Sequence, residues 1–84
     1  MYLVYEYYES LDSEPTEISI HEIYKTRSLA IDRLNVLINF VYKERYDDNC
    51  VIETWDDTEN LFSKQITDGN SMWHIFVVKR VEFG

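Results

Sequence analysis

The sequence predicts an α+β fold: one domain over residues 1–84, with a single long helix packed on one face of an antiparallel or mixed sheet of four to five strands, ordered ββαββ or ββαβββ. Three observations carry this prediction. Both ends of the chain are dense in tyrosine, tryptophan and β-branched residues, which suit a pleated, half-buried surface. Between them, residues 27–45 place apolar side chains at helical spacing with no breaker. Two glycines and one proline in 84 residues leave room only for short connections.

The opening YLVYEYY, Tyr2 to Tyr8, reads as a strand. Leu3, Tyr5 and Tyr7 share one face; Tyr2, Val4, Glu6 and Tyr8 share the other, and neither face is cleanly polar, as in a central strand. Residues 10–16 form the following loop, closed by Pro15. Glu17 to Lys25 then alternates as a half-buried strand, broken at Glu22 and Ile23. Thr26 has the chemistry of a helix N-cap. The helix it starts runs to about Arg45, with Ala30, Ile31, Leu34, Leu37, Ile38, Val41 and Tyr42 toward the core. Strand chemistry resumes with Cys50 to Trp55. LFSKQI is either a further strand or an irregular edge. Asp68-Gly69 signals a hairpin turn, and the final run places Trp73, Ile75, Val77, Val81 and Phe83 on one face and Met72, His74, Phe76, Val78 and Arg80 on the other.

Apolar residues make up 45% of the chain and aromatics 15%, enough for a packed core, so a disordered class is excluded. A domain of this size buries only about 60–65% of its unfolded surface and is sensitive to single core changes. The lone cysteine, Cys50, permits no intrachain disulfide and fits a reducing compartment. The chain opens without a signal-type leader, and no apolar run approaches the roughly 18 residues of a membrane span, so a soluble, cytoplasmic protein with no membrane partner is expected.

Sixteen acidic residues against eight basic ones give a net charge of −8. Such a balance disfavours direct contact with nucleic-acid phosphates and suits a basic protein surface. Thirteen of the sixteen acids fall in two segments, residues 6–22 and 44–59. If the second strand runs up and the helix returns down, the helix C-terminus lands beside the first hairpin loop. That terminus carries about −0.5 of an elementary charge, so acids there are mildly unfavourable. Glu9, Asp12, Glu14, Glu17, Glu44, Asp47 and Asp48 are thus the expected partner-binding acidic patch, with a merely solubilising surface as the other reading.

A second feature lies on the helix. Leu29, Val36 and Phe40 fall within about 40° of one another at 100° per residue, opposite the core face. Flanked by Asp32, Arg33, Lys43 and Glu44, they form a narrow apolar seam, expected to meet a partner or a second copy of the chain.

Chemistry is sparse. His21 and His74 lack the short spacing of a metal site. The acids of WDDTEN lack the ligand spacing of a calcium loop. Cys50 has no activating neighbour in sequence, and there is no glycine-rich phosphate loop. The N-terminal tyrosines lack the interleaved lysine and arginine of a base-stacking platform. No catalytic residue, metal or cofactor is expected, and the chain reads as a non-enzyme.

The opening YLVYEYY and the junction IYKTRSLAIDRL, Ile23 to Leu34, resemble the starts of small acidic accessory proteins from bacteriophages and mobile elements, including anti-defence and anti-CRISPR-like inhibitors. The resemblance covers about the first half of the chain. It implies an inhibitor acting on a host protein in the bacterial cytoplasm, and it transfers no site residues. The expected function is therefore an inhibitor docking an acidic surface on a basic, nucleic-acid-binding-type surface of a host protein. The alternative is a small homo-oligomeric module that binds a small molecule or signalling nucleotide at a subunit junction.

Overall fold

The computed structural model describes residues 1–11 and 18–82. Five strands and one helix follow the chain: β1 (Tyr2–Ser10), β2 (Ser19–Tyr24), α1 (Arg27–Arg45), β3 (Val51–Asp57), β4 (Leu61–Thr67) and β5 (Met72–Arg80). The α+β class and the ββαβββ order are those the sequence predicts. All strand pairings are antiparallel, in the spatial order β2-β1-β5-β4-β3. The helix carries the chain from one outer strand to the other, crossing the sheet on a single face.

Local chemistry accounts for the helix. The Thr26 hydroxyl accepts the Leu29 N–H at 3.2 Å, satisfying one orphan donor of the first turn. At the far end the Tyr46 N–H donates to the Tyr42 carbonyl at 3.0 Å. Ala30, Leu34, Ile38 and Val41 are buried at i, i+4 and i, i+3 spacings, against Val4, Phe62, Ile66, Phe76 and Val78 of the sheet. Ile31, Leu37 and Tyr42 pack around that core. Thr26→Ala is expected to cost about 1 kcal/mol in a urea titration followed by helical circular dichroism. An unchanged midpoint would show that the hydroxyl does not hold the first turn.

Two strand assignments need correction. The second strand is not half-buried: β2 is the outer strand, and Ile20 and Ile23 are exposed along it, as is Ile18 just before it. The break in its alternation is a β-bulge. Val4 faces Glu22 and Tyr5 faces Ile20, which leaves His21 as the extra residue and turns Ile20 and Ile23 to the same side. LFSKQI is not an edge but the interior strand β4, between β3 and β5. A second bulge interrupts β3 at Trp55, where Thr54 faces Lys64 and Asp56 faces Ser63.

The β4–β5 turn is organised by Asp68. Its Oδ1 accepts N–H groups from Asn70 and Ser71 at 2.9 and 2.8 Å, and its Oδ2 accepts the Ser71 hydroxyl at 2.6 Å. Gly69 supplies the positive φ of +85° that the turn requires. The Ser71 carbonyl then accepts the Leu11 N–H at 2.9 Å, joining this turn to the end of the first strand.

Candidate functional site

Strand parity sends two sets of side chains in opposite directions. Val4, Glu6, Tyr8, Phe62, Ile66, His74, Phe76 and Val78 face the helix. Tyr5, Tyr7, Glu9, Ser63, Gln65, Trp73, Ile75 and Val77 face the other way, where no helix lies. This uncovered face is a trough of about 500 Å³. Ile75 and Val77 of the central strand lie along its floor with Ser63 and Gln65 of β4. Tyr5, Tyr7 and Glu9 rise on one side; Trp55 and Asp56 rise on the other. Tyr5 and Tyr7 stack with centroids 6.4 Å apart, while Trp55, thrown out by its bulge, is 70% exposed.

The polar groups of the trough are arranged from named bonds. Ser63 Oγ donates to Asp56 Oδ2 at 2.9 Å and accepts the Asp56 N–H at 3.2 Å, seating the carboxylate beside the bulge. The Gln65 amide nitrogen donates to Glu53 Oε2 at 3.2 Å. Burial raises the Tyr7 hydroxyl above its ordinary pKa, and Glu9, Tyr5 and Asp56 raise it further. Glu9 and Asp56 belong to strands three spacings apart, about 14 Å in a flat sheet.

The second cluster lies on the helix side. Glu6 receives His74 Nε2 at 3.1 Å on one oxygen and His21 Nε2 at 3.4 Å on the other. The Tyr46 hydroxyl meets His74 Nδ1 at 3.0 Å. Tyr8 and Tyr46 approach the His74 ring edge-on, and Phe76 stacks on it at 4.5 Å. Both nitrogens of this buried imidazole are therefore engaged, and the chain of contacts ties the C-terminal end of α1 to β1 and β5. The hydrogen bond from His74 holds the Glu6 carboxyl below its ordinary value, against the opposing effect of burial. Partial burial pushes the Cys50 thiol up, with Asp47 and Asp68 adding to the shift, so it stays protonated at neutral pH.

Four of the seven acidic residues singled out in the sequence are among the described residues. Asp12, Glu14 and Glu17 lie outside the described residues. Glu9 pairs with Trp73 and stands in the trough, on the open face. Glu44 lies in the last turn of α1, on the covered side, and Asp47 and Asp48 follow it. Asp47 is engaged locally, its carboxylate accepting the Asn49 N–H at 2.9 Å. The structure thus separates Glu9 from the acids at the helix end. Leu29, Val36 and Phe40 are exposed to 54%, 59% and 62%, and the β3–β4 turn does not cover them. On the helix that turn meets Arg27, which donates to Asp57 at 2.9 Å and to the Thr58 carbonyl at 3.0 Å.

Sequence reasoning missed the trough itself. The parity that puts Tyr5 with Tyr7, and Trp73 with Ile75 and Val77, was available from alternation. The pairing of β1 with β5 and the bulge at Trp55 were not. Among the described residues, no group of three or more His, Cys, Asp or Glu side chains is placed to hold a metal ion, and no helix is long and apolar enough to cross a membrane. No protein-family model matches the chain, and neither does any curated protein or solved structure.

Proposed function

We propose that the chain is a non-enzymatic binding protein that docks an acidic surface on a basic surface of a partner protein, and that this surface is the open face of the sheet. One observation carries the proposal: an uncovered sheet face whose aromatic side chains stand between carboxylates. Glu9, Glu53 and Asp56 face it, whereas the register puts only Lys79 of the described cations on that side. Lys79 stands at one end of the trough, opposite Leu61, and about 20 Å along β5 from Trp73, which Glu9 faces. Aromatic residues flanked by one sign of charge are what a specific docking surface presents. The net charge of −8 and the phage-type resemblance support an inhibitor of a host protein in a bacterial cytoplasm. The exposed row of Leu29, Val36 and Phe40 is the rival contact, suited to self-association.

Retention of bacterial lysate proteins on the immobilised chain separates these surfaces. A variant carrying Glu9→Gln and Trp55→Ala should lose the retained partner, while one carrying Leu29→Ser and Phe40→Ser should keep it. At 1 M salt, where the Debye length is about 3 Å, retention by the native chain should fall sharply. Identical retention by the native chain and the trough variant would end this proposal. Light scattering that shows a dimer dissolved by the helix variant would assign self-association to the seam.

A further inference from the structure

We infer that the trough receives the guanidinium group of an arginine side chain carried by the partner. This rests on the docking role just proposed and names what enters.

The floor of the trough holds a polar side chain with half its capacity unused. Gln65 is only 6% exposed. Its amide nitrogen is committed to Glu53, and that commitment fixes which end of the amide is which, because a carboxylate requires the NH₂. Its carbonyl oxygen accepts from no group among the described residues, and the side chain lines the trough. That oxygen is not sealed from solvent, so it is free to accept from a donor that enters the trough.

The walls ask for the same guest. Glu9 lines the trough from β1 and Asp56 from β3, on either side of the β5 and β4 floor. The indoles of Trp55 and Trp73 and the phenols of Tyr5 and Tyr7 offer ring faces. Of the chain's own cations Lys79 stands at the end away from Glu9 and Trp73, and two others are held on the opposite side. Arg27 and Lys64 sit over the Phe62 ring at 5.6 and 5.9 Å, on the helix side of the sheet.

Several acceptors at different angles, between aromatic rings, match a planar group with five N–H donors. Guanidinium is also less strongly hydrated than ammonium and stacks on rings, so it enters a half-enclosed trough at lower desolvation cost. Lysine would satisfy one carboxylate as a compact charge and leave the Gln65 oxygen unmet.

The test titrates the protein with three capped tripeptides, Gly-Xaa-Gly, in which Xaa is arginine, lysine or the neutral isostere citrulline. Emission of Trp55 and Trp73, the two tryptophans of the chain, reports binding, and the Gln65 side-chain amide resonance locates it. Arginine should give a saturable change that moves the Gln65 amide, lysine should bind roughly tenfold more weakly, and citrulline should give no saturation. Glu9→Gln, at an exposed position remote from the core, should weaken arginine binding with an unchanged thermal melt; Gln65→Leu should do the same while narrowing the gap between arginine and lysine. The inference is overturned if citrulline matches arginine, if arginine fails to titrate up to its solubility, or if Glu9→Gln leaves the titration unaltered. Loss of arginine binding alongside a partner still retained through the trough would remove this inference and leave docking intact. Arginine binding alongside partners indifferent to the trough variant would do the reverse.

Discussion

Phe76→Ala is expected to remove most of the protein's stability and to leave a substantial unfolded population at ambient temperature. Phe76 lies on the central strand, fully buried, with Glu6 and Lys64 as its cross-strand neighbours and the His74 ring stacked on it at 4.5 Å. It belongs to the one core that Leu34, Ile38, Ile66 and Val78 also build. Truncating a buried phenylalanine costs about 3–5 kcal/mol, because the lost transfer energy is joined by the cavity left behind. An 84-residue domain has roughly 4–12 kcal/mol in all. Urea unfolding followed by circular dichroism should show the midpoint shifted down by about 3–5 M, taking a slope near 1 kcal/mol per molar. A loss below about 1 kcal/mol would mean that the ring is not at the centre of packing.

The second large effect concerns Glu6. Its removal as Glu6→Ala leaves His74 buried with one ring nitrogen unmet, and should cost about 1–3 kcal/mol at neutral pH. The pH dependence identifies the cause. Glu6 and Asp68 are both held below their ordinary values, Glu6 chiefly by His74 and Asp68 chiefly by the Ser71 hydroxyl. A carboxyl with a lowered folded-state pKa binds fewer protons in the native chain than in the unfolded one. Its contribution is complete above the unfolded value, about 4.3 for glutamate and 3.9 for aspartate, and drains away as the pH falls through the folded value. The native protein should therefore lose stability steadily below about pH 5. Glu6→Ala, already lacking one contribution, should show a shallower decline. Parallel curves for the two proteins would show that the Glu6–His74 contact does not carry the acid sensitivity.

The helix was legible because its signals are local. Thr26 caps it, no glycine or proline interrupts it, and the apolar spacing from Ala30 to Val41 names the face that is buried. The β5 faces were legible for a similar reason, since nine residues of alternation leave little freedom of register. What stayed hidden depended on residues far apart in sequence. Tyr7 meets Ile75 across a gap of 68 positions, and nothing in either segment names the other. The bulges hid two further features: an extra residue reverses parity, so Ile20 and Ile23, which alternation assigns to opposite faces, stand on one. Glu6 with His21 and His74 was hidden in the same way. Each histidine looks solitary in the chain, and only pairing brings both to one carboxylate.

The two bulges have a consequence for how this molecule can associate. A flanking strand with an uninterrupted row of free amides and carbonyls invites another chain to extend the ladder. Here His21 breaks that row on one flank and Trp55 on the other, so the longest regular run on either is the four residues 51–54. Fibre-like growth by adding strand upon strand is thereby stopped at both margins. A visitor that approaches broadside meets the open sheet face and its rings instead.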